Sequence, residues 1–122
     1  MKRLLIYTAG RFRGPTPWAV HQNVLKAEWA ALVVIDLGAF PVIPHKIGEH
    51  FDGIGSQEFW LESTLELMRR CDAVFVYDDA DLKISQGTIG EVAEAKRLGI
   101  PVLIGEESLE VWMVGRKYLP GD

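Results

Sequence analysis

A chain of 122 residues with 48% apolar side chains can bury one continuous core and falls within the size of a single domain. Its 13 basic and 17 acidic residues leave a formal charge of -4, which excludes the broad positive surface needed to bind a nucleic-acid polymer but leaves room for a local basic pocket. A lone cysteine, Cys71, excludes both an internal disulfide framework and a cysteine-based zinc site, and it fits a reducing cytosol.

Leu4 to Ala9 is a short apolar run closed by Gly10 and a Gly/Pro-containing stretch to Pro17, which predicts a buried strand and then a loop. The run is too short for a signal-peptide core or a membrane span, so a cytoplasmic protein without a membrane segment is expected. From Trp18 to Leu37 the apolar residues Val20, Val24, Ala27 and Ala31 fall three or four apart and Gly38 offers a left-handed stop, predicting a helix of about five turns. Ala39 to Ile43 reads as a second strand, followed by a loop from Pro44 to Gly55. Ser56 is a candidate cap for a helix to Arg70, whose apolar positions include Phe59, Trp60, Leu61, Leu65 and Met68. At that spacing Phe59 and Trp60 read as core rather than as base-stacking groups.

Ala73 to Tyr77 reads as a third strand, Ser85 to Leu98 as a helix stopped by Gly99, Pro101 to Ile104 as a fourth strand, and Ser108 to Tyr118 as a last helix. Strands separated by helices pair in parallel with right-handed crossovers. The prediction is therefore an α/β domain over residues 1–122: a small doubly wound, Rossmann- or flavodoxin-like parallel sheet of four to five strands with helices on both faces. For a strand order of 2-1-3-4, a ligand crevice is expected between the carboxyl ends of strands one and three, facing residues 7–14 and 77–91.

The stretch Ser85-Gln86-Gly87-Thr88-Ile89-Gly90-Glu91 follows a strand tip and opens a helix. Free amides at a helix start suit phosphate or sugar oxygens, Ser85 is a natural cap, and Thr88 lies in the same first turn. Glu91 stands one turn in, with its side chain leaning back toward the amino end, and Gly87 four residues earlier leaves space above it. A carboxylate held there can form an ester with an anomeric carbon. An ordinary solvated helix glutamate is the plainer alternative. In the first loop, Gly10, Arg11 and Arg13 suit a phosphate, Arg13 above all, and a loop of solvated arginines is the alternative.

These elements together resemble the nucleoside 2-deoxyribosyltransferase superfamily. Tyr7 with Ala9-Gly10, Asn23 and Ala27, the Gly38 to His45 segment, Cys71 to Val74, and Gly87-Thr88 with Glu91 stand in register with its motifs. The resemblance implies Glu91 as nucleophile, Tyr7 orienting it, His45 at the pocket rim, and subunit contacts from Trp29, Trp112 and Met113 in a homodimer or larger homo-oligomer. Ser85 with Arg13 is similar to the branch that hydrolyses deoxynucleoside 5′-monophosphates; an aspartate at Ser85 would mark transferases on free nucleosides. The Gly-Thr-x-x-Glu pattern also looks like that of nucleoside-monophosphate phosphoribohydrolases.

One departure concerns the second-helix aspartate common in these enzymes, which aligns with Thr64. Asp78 or Asp79, at the third strand tip, can supply a substrate contact or an acid in its place, or can simply cap the loop. Expected, then, is cleavage of an N-glycosidic bond in a nucleoside or nucleoside 5′-monophosphate, with base exchange or a catalytically inactive nucleotide-binding module as alternatives. No cofactor is implied. His45, His50, Glu49 and Asp52 lack compact ligand spacing, so no metal is expected.

Overall fold

The computed structural model describes residues 2–51 and 53–116. Four short strands, β1 (Leu5–Ala9), β2 (Phe40–Val42), β3 (Ala73–Val76) and β4 (Val102–Ile104), form a wholly parallel sheet in the order β2-β1-β3-β4. Register follows the alternation of side chains: Tyr7 lies beside Val42 on one flank and Val74 on the other, and Val76 pairs with Ile104. This is the α/β fold and the strand order expected from the sequence.

Helices cover both faces because both faces of β1 and β3 are apolar. Ile6, Ala73 and Phe75 point to one side, where they pack with Ala30 and Val34 of α1 (Pro17–Asp36) and with Leu109 and Met113 of α6 (Glu106–Val114). Tyr7, Ala9, Val74 and Val76 point to the other, against Met68 of α3 (Gln57–Arg69) and Val92 and Ala95 of α5 (Gln86–Leu98). The crossover leaving β1 thus goes to one face and the one leaving β3 to the other, which opens a crevice between their tips.

Local signals set the helix ends. Thr16 caps α1 with its side chain on the Ala19 amide, and Pro17 supplies the pre-set φ of a first turn. Ser56 caps α3 through the Phe59 amide at 3.0 Å, and Gly99 ends α5 in the left-handed region at φ 76°.

Several boundaries depart from expectation. The segment after Pro44 opens with a short helix, α2 (Pro44–Gly48), and a second short helix, α4 (Asp81–Ile84), precedes α5. Each spans at most five residues, too few for a 3.6-residue period to show in the sequence. Strand β2 is shorter than predicted because Ala39 and Ile43 fall outside the ladder. The last helix starts two residues early, with Gly105 as its cap, and Tyr118 and Asp52 lie outside the described residues. Among the described residues no helix is long and apolar enough to cross a membrane.

Candidate active site

A cavity of about 680 Å³ opens at the carboxyl end of the sheet. It has the size of a small-molecule site. Its floor is Tyr7 of β1 and Glu91 of α5; one wall is the loop from Gly10 to Gly14, another the start of α5, and a third is aromatic.

Tyr7 is fully buried within the sheet, and its hydroxyl donates a hydrogen bond to Oε2 of Glu91. Glu91 is 8% exposed, among the few charged residues the fold buries, and it is the only carboxylate that lines the cavity among the described residues. Burial pushes its pKa up to about 7, while the Tyr7 hydrogen bond works in the opposite direction. The Tyr7 hydroxyl is held far above its ordinary range, first by its own burial and then by the negative charge of Glu91. Near neutrality, then, the proton between them stays on tyrosine and Glu91 is the group that titrates.

Above Glu91 stands the start of α5. The Ser85 oxygen accepts from the Thr88 amide at 3.3 Å and from the Thr88 hydroxyl at 2.9 Å, which leaves its own proton free to donate outward. A Cβ placed on Gly87 would meet nothing within 4 Å, so the cavity is open there. Across the crevice, Arg11 and Arg13 line the cavity with exposed side chains, and neither is ion-paired among the described residues. The two cationic forks and the amide-rich helix start face a common volume, an arrangement suited to an anion.

The loop that carries these arginines passes close to its neighbours. A Cβ at Gly10 would lie 2.2 Å from the Tyr77 hydroxyl oxygen, so any side chain there would force the Tyr77 ring to move. His45, 4% exposed, is within 3.0 Å of the Arg11 carbonyl through Nε2, its Nδ1 has no partner among the described residues, and its pKa is lowered by burial. His50, in contrast, is exposed and paired with Glu49, so the structure does not bring the two histidines together.

Three sequence expectations are corrected. Phe59 and Trp60 are not core: Phe59 is exposed, and Trp60 lines the cavity, stacked on Phe51 at 6.5 Å and edge-on to Phe59 at 5.5 Å. They sit where α3 runs past the end of the sheet, so helical spacing continues after the core has stopped. Asp78 and Asp79 do not reach the cavity: Asp78 caps the loop through the Ala80 amide at 3.1 Å and pairs with Lys26 at 3.6 Å, and Asp79 points to solvent. Met113, expected at a subunit contact, is buried against the sheet, although Trp29 is 52% exposed. Thr64 stands in the cavity wall beside Tyr7, its hydroxyl donating to the Leu61 carbonyl at 3.1 Å.

Sequence reasoning missed Asp81. It is buried and accepts the Arg11 amide through Oδ2 at 2.9 Å. The only signal was a third acidic residue in the run Asp78-Asp79-Ala80-Asp81, and nothing in that run tells which one turns inward.

Residues 4–105 match the model of a family described as Domain of unknown function (DUF7768). The chain belongs to that family. Among solved structures this family member is similar to a 2-deoxyribosyltransferase from the psychrotolerant bacterium Bacillus psychrosaccharolyticus, characterised as a biocatalyst for the synthesis of antiviral and antitumoral nucleosides. The two are 26% identical with a TM-score of 0.59, over 82% of this chain and 70% of that one, and they share the deoxyribosyltransferase-like fold. No curated protein matches the chain.

Proposed function

We propose that the protein is an enzyme that cleaves the N-glycosidic bond of a nucleoside 5′-monophosphate, with Glu91 as nucleophile. The observation that carries this reading is the buried Tyr7–Glu91 pair at the floor of an open cavity, in a chain similar to a 2-deoxyribosyltransferase. In the first step a Glu91 oxygen attacks the anomeric carbon, the bond from that carbon to the base nitrogen breaks, and the base leaves with the electron pair. In the second, water attacks the same carbon, the ester bond breaks, Glu91 returns as a carboxylate, and the proton lost by the attacking water passes to solvent. The cavity offers no second carboxylate among the described residues, so the departing base takes its proton from solvent.

Tyr7 fits the role of orienting group, since its hydrogen bond fixes one Glu91 oxygen and leaves the other for attack. The 5′-phosphate would lie between Arg13, Arg11 and the Ser85-Gln86-Gly87-Thr88 turn, and the base would meet Trp60 and Phe51. The setting proposed is cytoplasmic, in keeping with the free thiol of Cys71, and the working form is a homo-oligomer in which Trp29 is covered.

The test is incubation of purified protein with a panel of nucleosides and their 5′-monophosphates, with free base measured by chromatography. Base release, faster from monophosphates, is expected; survival of every substrate at high enzyme concentration would overturn the reading. A base-exchange transferase is the second reading, favoured by the similarity to the deoxyribosyltransferase. Adding a different free base separates the two, because only a transferase forms a new nucleoside.

A further inference from the structure

The loop from Gly10 to Gly14 joins no ladder and forms no helix, and four of its backbone groups are held by side chains from outside it. Three side chains, each from a different element, do this. Asp81 of α4 accepts the Arg11 amide at 2.9 Å, His45 of α2 meets the Arg11 carbonyl at 3.0 Å, and Asn23 of α1 donates to the carbonyls of Phe12 and Arg13 at 3.1 and 3.2 Å. Asp81 differs from the other two in what else it holds. Its own carbonyl accepts the Ser85 amide at 2.9 Å, so one residue is bonded both to the arginine loop and to the cap of α5.

We infer that Asp81 is a positioning residue that sets the distance between the arginine loop and the start of α5, and so gives the cavity its preference for a 5′-phosphate. The inference rests on the monophosphate reading above. Asp81 is 7% exposed, and a carboxylate is buried at that level only when hydrogen bonds replace its water. A bond from a backbone amide to a carboxylate is among the stronger ones, which suits a group that holds an irregular loop in one place. The residue is not part of the cavity wall, so its negative charge is turned away from the ligand and toward the Arg11 amide. Sites of this kind need supports whose own positions are locked, and α4, anchored by Leu82 against the core, has its first residue on one side of the proposed anion site and its last next to the other.

The test titrates inorganic phosphate, the four common 2′-deoxynucleoside 5′-monophosphates and their nucleosides into wild type, Asp81→Ala and Asp81→Asn, by calorimetry or NMR. Asp81→Ala is expected to lose at least about tenfold in affinity for the best-bound monophosphate and for phosphate, with less than about twofold change for the nucleoside. Asp81→Asn keeps an oxygen that accepts the Arg11 amide and is expected to stay within about threefold of wild type. Full monophosphate affinity in Asp81→Ala, or an equal loss for nucleoside and monophosphate, would overturn the inference. Should Asp81→Ala fail to fold, Asn23→Ala frees the same loop from its opposite side. There a selective loss of monophosphate affinity supports a positioned loop, and unchanged affinity contradicts it. Base release is followed in the same samples. A wild type that prefers monophosphates but releases no base overturns the proposed chemistry and leaves the Asp81 result standing; one that binds monophosphates no better than nucleosides overturns both.

Discussion

Glu91 and Glu94 lie one turn apart on α5 and have opposite electrostatic lives. Glu94 accepts from Arg97 at 2.6 and 3.0 Å and from Arg69 at 3.2 Å, and these bonds hold its pKa down to about 2. Glu91, turned inward by the helical period, has no cation beside it among the described residues; burial holds its pKa at about 7 with only the Tyr7 hydroxyl in opposition. A rotation of three residues along one helix thus separates a permanently charged surface group from one whose charge is costly. A costly carboxylate without a salt bridge, facing an open cavity, belongs to a site rather than to a scaffold.

The largest expected contrast is in activity. Glu91→Gln should reduce base release by about a thousandfold or more, because the amide cannot serve as nucleophile, while Glu94→Gln should stay within about twofold. Equal rates for the two variants would erase the distinction drawn between them.

Stability should show the reverse order. The folded pKa of Glu91 lies above its ordinary value of 4.5, so the folded state binds more protons between those two pH values. Its stability contribution is therefore complete below about pH 4.5 and is lost as the pH rises through about 7, by an amount on the order of 3 kcal/mol. Glu91→Gln removes this dependence. Thermal melts should show the variant more stable than wild type at pH 8, with the gap closing toward pH 5; Glu94→Gln, which strips a surface carboxylate of two arginine partners, should never be the more stable protein. A gap that stayed constant from pH 8 to pH 5 would mean that Glu91 is ionised without cost, and one that widened toward pH 5 would mean that folding favours its ionised form.

How far the site could be read from sequence follows from the same physics. The sheet order, the crevice and the inward aim of Glu91 all follow from periodicity, which acts along the chain and survives without coordinates. The segments that escaped are those where no period operates. Asp81 gains its meaning from irregular backbone brought to it across 70 residues of sequence, and no local pattern tells it from Asp78 or Asp79; only the family resemblance places His45 at the pocket rim, and its bond to the Arg11 carbonyl spans 34 residues. Trp60 misled for the opposite reason, since a regular helical spacing carried it beyond the end of the sheet, where it lines a cavity instead of a core.

A smaller effect is expected from Tyr7→Phe. Without the donor, the ionised form of Glu91 loses its one hydrogen bond, so kcat should fall by about 30-fold and the rising limb of the pH-rate profile should move upward from about 7. An unmoved limb would remove Tyr7 from the account. The smallest is Gly87→Ala, whose added methyl enters the open space at the start of α5 and should raise KM by about tenfold or less without changing the pH profile.

The most direct test of the Glu91 assignment is covalent trapping. In a nucleoside 5′-monophosphate carrying fluorine at C2′, the electron-withdrawing substituent destabilises the oxocarbenium-like transition state and slows breakdown of the glycosyl ester, so the ester persists for detection by intact mass. The account predicts one added sugar phosphate per chain, mapped by peptide fragmentation to Glu91 and absent from Glu91→Gln. A label on any other residue, or turnover of the normal substrate by Glu91→Gln at the wild-type rate, would contradict it.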